Sequence, residues 1–192
     1  PARGPVALRL QVWALGYAAA FCLVWILGPR GGVHETGRPI LSLTCAVAVG
    51  QAVVVLILAR TLERRAHLIY LGLGFLVLSS ATVALAEQWP AWPPEPLVRG
   101  VSWTCLFIVL APVVVEASPR AILSAGLAAA GATPVALTAA TLFFSRPVPK
   151  NTALVAMFAP PLLCVALAFA TARLFVRERR AGGRPKMGGY VL

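Results

Sequence analysis

Six apolar runs of about 20 residues follow one another along this chain, and they constrain its fold more than any other feature. A helix needs about 20 mainly apolar residues to cross the roughly 30 Å hydrocarbon core of a bilayer. Water cannot reach the backbone there, so a crossing segment must satisfy its own hydrogen bonds. The sequence therefore predicts an all-α integral membrane protein, a bundle of six transmembrane helices. The runs cover residues 8–28, 40–59, 68–86, 97–115, 121–144 and 152–172.

The composition agrees with lipid as the surrounding solvent. Only 12% of the 192 residues are charged and 59% are hydrophobic, whereas soluble domains carry about 25% charged residues. Turn-forming and ionisable residues concentrate in the short stretches between the runs. We expect one membrane domain over residues 1–180, followed by a separate tail at 181–192.

The basic residues are divided unequally between the two sides of the predicted bundle. Twelve of the 17 Lys and Arg lie in the N-terminal segment, the second and fourth loops and the C-terminal tail. Loops rich in Lys and Arg stay in the cytoplasm, so we expect both termini there. The net charge of +11 is then expected to face anionic lipids at the cytoplasmic surface, and no nucleic-acid partner is needed to explain it.

Gln51 and Glu116 are the candidate polar sites within the runs. An unpaired amide near the middle of a span is costly, so we predict that Gln51 bonds a neighbouring helix; a ligand contact is the alternative. Glu116 stands at the cytoplasmic end of the fourth run, four residues before Arg120. We predict an interfacial ion pair with Arg120, and a proton-relay carboxylate is the alternative.

Trp89 and Trp92 are two further candidates, in the outer loop "EQWPAWPPEP". Prolines stiffen this loop, and tryptophan favours the boundary between membrane and water. We interpret the loop as a connector anchored at the outer interface. The alternative is the roof of a site for an outer ligand of unknown identity.

No run carries the residue pattern of a catalytic or metal site. Paired carboxylates and Ser/His arrangements are absent from the runs, and the cysteines lack C-x-x-C spacing. We expect the cysteines to pack as small apolar side chains, and we expect no catalytic, cofactor-binding or metal-binding residue in this chain. The cysteines are Cys22, Cys45, Cys105 and Cys164.

Small residues recur in the last two runs, as "AGLAAAGAT" in the fifth and in two alanine pairs in the sixth. Such stripes let helix backbones approach closely. We predict packing within the bundle, with a homodimer as the alternative. The pairs are Ala166 with Ala170 and Ala168 with Ala172.

The chain closes on the basic stretch "RERRAGGRPKMGGYVL". We predict that the sixth helix continues about two turns beyond the membrane, to Ala181, before Gly182, Gly183 and Pro185 end it. The last residues, 190–192, favour a strand. A helix exit, a flexible basic link and a strand together predict the start of a cytoplasmic domain that continues beyond this chain.

This junction resembles that of bacterial transmembrane serine/threonine protein kinases, whose kinase domain opens with Gly, any residue, Tyr, any residue and an aliphatic residue. Gly188, Tyr190 and Leu192 occupy those positions. The resemblance implies a sensor or anchor module in the bacterial inner membrane, placed ahead of a kinase that uses ATP and Mg. Catalysis and both cofactors would belong to that domain, since its motifs lie outside this chain.

Two other classes of function stay open at this stage. The module could feed a histidine kinase or a nucleotide cyclase, although the Gly182-Gly183-x-Pro185 break interrupts the coiled coil that such outputs use. It could instead be a self-contained transporter or channel, which predicts inverted repeats around a polar site at mid-membrane depth.

Overall fold

The computed structural model describes residues 5–27, 38–88, 102–144 and 151–182, and this part of the chain is almost entirely α-helical. No strand occurs within these ranges, so the predicted all-α class is confirmed. The helices are α1 (Pro5–Leu27), α2 (Arg38–Thr61), α3 (Arg65–Gln88), α4 (Trp103–Val114), α5 (Pro119–Phe144) and α6 (Asn151–Gly182).

Five of the described helices, all except α4, are long and apolar enough to cross a membrane. Helix α4 has 12 residues and is therefore about 18 Å long, shorter than the roughly 30 Å hydrocarbon core. The predicted fourth run starts at residue 97, and its first part lies outside the described ranges. These lengths are those of a multi-pass membrane protein with five clear spans.

Serine and proline determine where α5 begins. Pro119 disfavours helical geometry in the residue before it, so Ser118 lies outside the helix. Ser118 then caps α5, since its hydroxyl accepts a hydrogen bond from the backbone N–H of Ala121 at 3.3 Å. Pro119 itself fits the first helical position because no partner is available for an N–H there.

Helix α3 lies at the centre of the bundle and α6 at its edge. Half of the α3 span is buried, against 17% of the α6 span. Helices α1 and α2 pack against each other, α2 contacts α3, and α3 contacts α4 and α5. Helix α6 packs on α4 and α5. The α1–α2 pair thus adjoins a group of four helices that is built around α3.

Small side chains allow these helices to approach closely. On α6, Ala168 and Ala172 are buried whereas Ala166 and Ala170 are exposed, so one of the two predicted stripes packs within the bundle. Gly72 of α3 lies close to Val115, the residue after α4. A Cβ atom built on Gly72 would lie 2.8 Å from a methyl carbon of Val115, so a larger residue there would require Val115 to shift.

Helix α6 continues beyond its apolar part. The apolar span ends at Glu178, and the helix extends to Gly182. The sixth helix thus continues through Ala181, as predicted, and also includes Gly182; the part beyond the apolar span is about one turn. The predicted strand and the link at residues 183–192 lie outside the described residues.

Candidate functional site

A polar contact at Gln51 joins three helices near the middle of the bundle. Tyr17 of α1 donates its hydroxyl to Oε1 of Gln51 at 3.1 Å, and Nε2 of Gln51 donates to Oγ1 of Thr82 on α3 at 2.9 Å. Thr82 also donates to the carbonyl of Leu78, one turn earlier in α3. The prediction that Gln51 bonds a neighbouring helix is confirmed, and both ends of its amide are engaged.

Aromatic rings surround the Tyr17 end of this contact. The ring of Tyr17 meets those of Phe21, Phe75 and Phe107 edge to face, with centroids 5.0 to 5.5 Å apart. Trp13 meets Phe75 in the same way at 5.3 Å. Edge-to-face pairs add to the free energy of burial. Aromatic side-chain contacts, rather than close approach of the helix backbones, therefore hold α1 against α3 and α4.

Glu116 binds two arginines at one end of the bundle. Its Oε1 lies 2.7 Å from Nη1 of Arg9 on α1, and its Oε2 lies 2.6 Å from Nη2 of Arg65 on α3. Arg9 also donates to the carbonyl of Val113 at 3.2 Å. The arginines are 46% and 62% exposed and Glu116 is 11% exposed. One carboxylate therefore holds together the starts of α1 and α3 and the end of α4.

We call this end of the bundle the arginine face. A small cavity of about 40 Å³ beside Glu116 is lined by Ala172, Phe175 and Val176 of α6, so the C-terminal part of α6 reaches the same end. Among the residues with described side chains, the arginines on this face are Arg9, Arg60, Arg64, Arg65, Arg120, Arg173 and Arg177.

A second carboxylate, Glu87, lies at the opposite end of α3. It accepts a hydrogen bond from the hydroxyl of Ser102 at 2.7 Å and another from the backbone N–H of Trp103 at 3.0 Å. Ser102 in turn caps α4 by accepting from the N–H of Thr104. An acidic group at a helix N-terminus is favoured by the helix dipole. Helix α4 is consequently held by a carboxylate at each end.

An open groove of about 590 Å³ runs along the outer surface between α1 and α4. Buried rings of Trp13, Tyr17 and Phe107 form its floor. Arg9 lies at its end on the arginine face, and Trp103 lies at the other end. The remaining lining is apolar, contributed by Leu8, Val12, Gly16, Ala20, Leu106, Leu110, Val113 and Val114.

Comparison with known protein families, curated proteins and solved structures finds no match to this chain.

The remaining predicted sites are placed as follows. Trp89 and Trp92 lie outside the described residues. Among the cysteines, Cys45 and Cys105 are buried and Cys22 is exposed, and all four are free thiols. Cys45 donates weakly to the carbonyl of Phe21 at 3.5 Å. Within the described ranges, no three His, Cys, Asp or Glu side chains come together as metal ligands would.

Sequence reasoning missed three of these features. The arginines on Glu116 lie 107 and 51 positions away, whereas spacing along one helix pointed to Arg120. The role of Glu87 at the start of α4 was not predicted. The signal that could have located this site is Ser102, because a serine at the start of an apolar helix is a capping signal. The groove has no signature in sequence, because it depends on which faces of α1 and α4 diverge.

Proposed function

We propose that this chain is a six-pass membrane module with both termini in the cytoplasm, which anchors and regulates a cytoplasmic serine/threonine kinase domain that follows it. One observation carries the proposal: nine of the ten arginines within the described ranges gather at one end of the bundle, all except Arg38, and α6 leaves the bundle at that end.

The alternation of helix ends supports the orientation. The arginine face contains the starts of α1, α3 and α5 and the ends of α2, α4 and α6, as expected when each helix reverses the direction of the one before. Positively charged ends stay in the cytoplasm during insertion, so this face is the cytoplasmic one.

Contacts at both ends of α4 favour a sixth crossing. The start of α4 bonds Glu87, near the end of α3, and Glu116 after its end bonds Arg65, the first residue of α3. Helix α4 covers about 18 Å of the roughly 36 Å length of α3, and the side chains that flank it contact both ends of α3. These contacts support a crossing by the segment that contains α4.

The kinase assignment depends on the resemblance at Gly188, Tyr190 and Leu192. Helix α6 is compatible with it because this helix extends past the apolar span on the arginine face and delivers the tail to the cytoplasm. A histidine kinase or cyclase output remains the alternative. A transporter is less well supported, since the mid-depth amide of Gln51 is engaged by Tyr17 and Thr82.

Topology is tested with a reporter enzyme that is active only in the cytoplasm. Fused after Leu192 it should be active, and inserted near Ala91 it should be inactive. Activity at Ala91 with none at Leu192 would reverse the orientation. Equal activity at both positions would remove one crossing from the assignment.

The output is tested on the full-length protein. The reading frame beyond Leu192 should encode G-x-G-x-x-G, and the purified protein should transfer phosphate from ATP to serine or threonine. Insertion of two to six Gly/Ser residues after Gly183 should change this activity little, because effective concentration varies slowly with linker length. A periodic dependence on insert length would instead indicate a rigid helical transmitter and favour the histidine kinase or cyclase alternative.

A further inference from the structure

We propose that the groove between α1 and α4 binds one acyl chain of an anionic phospholipid, with the lipid phosphate on Arg9. The inference rests on the membrane location proposed above and is independent of the kinase assignment.

The groove has the depth of one lipid leaflet. From Arg9 to Ala20 the lining of α1 covers 12 residues, whose 11 helical rises amount to about 16 Å. Half of the roughly 30 Å hydrocarbon core is about 15 Å. An acyl chain whose headgroup lies at Arg9 would therefore end close to Ala20, near mid-membrane depth. The volume of about 590 Å³ lies in the range of small-molecule sites.

Charge at the open end of the groove favours an anion. Among the residues whose side chains the structure describes, the arginine face carries seven arginines and three glutamates, Glu63, Glu116 and Glu178. Both hydrogen bonds of Arg9 use its Nη1 atom. Its half-exposed guanidinium can therefore present Nε and Nη2 to a phosphate while Glu116 keeps it in place, and arginine is suited to such forked contacts.

The same charge argues against a helix of a second copy as the occupant. Gly16 and Ala20 are four residues apart, a spacing that favours helix pairing. A second copy in the same membrane orientation, however, would bring its own arginine face to the depth of Arg9. Like charges would then meet at the open end of the groove, whereas a phosphate neutralises Arg9.

Gly16 offers a way to close the groove without disturbing the bundle. A Cβ atom built on Gly16 has no neighbour within 4 Å, and the same holds for Gly74 of α3, which lies outside the groove. Gly16→Trp should fill the space above the ring floor, and Gly74→Trp is the matched control. Gly16→Leu is the smaller second variant.

The experiment measures lipids retained by the purified chain in native mass spectrometry, with phosphatidylglycerol and phosphatidylcholine of identical acyl chains as probes. The wild-type chain should prefer phosphatidylglycerol by about fivefold, the typical effect of one basic residue near a membrane surface. Arg9→Gln should lose this preference. Arg120→Gln removes the same charge outside the groove and should keep it.

Gly16→Trp and Gly16→Leu should reduce retention of both lipids, with Gly74→Trp unchanged; circular dichroism confirms that each variant is folded. Three results would overturn the proposal: equal retention of the two lipids by the wild-type chain, equal effects of Arg9→Gln and Arg120→Gln, or a dimer that Gly16→Trp dissociates while lipid retention persists. The last result would identify the groove as an interface between copies.

Discussion

Replacing Gln51 by leucine tests whether the polar contact in the middle of the bundle stabilises it. Leucine has a similar size, so the main loss is the two interhelical hydrogen bonds, from Tyr17 at 3.1 Å and to Thr82 at 2.9 Å. Such bonds contribute on average about 0.6 kcal/mol and at most about 1.7 kcal/mol each within membranes. Gln51→Leu should therefore lower the free energy of unfolding by about 1 to 3 kcal/mol.

The cost should depend on Tyr17, which is only 2% exposed. In Gln51→Leu its hydroxyl is left buried without its partner, whereas Tyr17→Phe removes that hydroxyl. Tyr17→Phe should thus lower the free energy of unfolding by about 0.6 kcal/mol in the wild-type background. In the Gln51→Leu background the same substitution should lower it by less, or not at all. A double-mutant cycle, measured by reversible unfolding in mixed micelles, gives this coupling directly.

Tyr70→Phe serves as the control, because Tyr70 of α3 is 72% exposed and its change should stay within about 0.5 kcal/mol. The reasoning fails if the effects of Gln51→Leu and Tyr17→Phe simply add. It also fails if Gln51→Leu stabilises the bundle, because the amide would then serve something other than packing, such as a ligand.

Three further changes test other contacts. Gly72→Ala should lower the free energy of unfolding by about 1 to 3 kcal/mol through overpacking against Val115, whereas Gly74→Ala, with nothing within 4 Å, should be neutral or stabilising; equal effects would contradict the close approach of α3 and α4. Glu116→Gln should lower the free energy of unfolding by less than about 2 kcal/mol, because the two arginines that pair with Glu116 are largely exposed, and the variant's unfolding should depend less on salt than that of the wild type. Ser102→Ala should cost about 1 kcal/mol through loss of the cap of α4, and an unchanged unfolding midpoint would speak against that cap.

The positions of the helices could be predicted from the sequence, because the solvent imposes them. The predicted second run, 40–59, became α2 at Arg38–Thr61, and the predicted third, 68–86, became α3 at Arg65–Gln88. A segment that crosses the bilayer must be apolar over its whole length, so hydropathy along the sequence locates it. The described α4 is shorter than its run because Ser102 caps it.

The partners within the site could be predicted only in part. That Gln51 needs a partner follows from the cost of a bare amide in lipid, but nothing in the order of residues names Tyr17, 34 positions away. The same holds for Arg9 and Glu116. Periodicity shows which face of a helix is apolar, whereas the rotation of one helix against another is decided by the packing of all six.

The small residues that α6 turns towards its neighbours have a mechanical consequence. Ala168 and Ala172 lie four residues apart, so a slide of roughly 6 Å along the axis exchanges one alanine for another at the same contact. Packing alone therefore resists such a displacement weakly at this point. Arg173 and Arg177 oppose this displacement, because arginine side chains at the end of a membrane span stay in the headgroup region. The guanidinium of Arg173 also stacks 4.4 Å from the ring centre of Phe169. The vertical position of α6 is consequently set by the thickness and charge of the membrane, and it should follow changes in either.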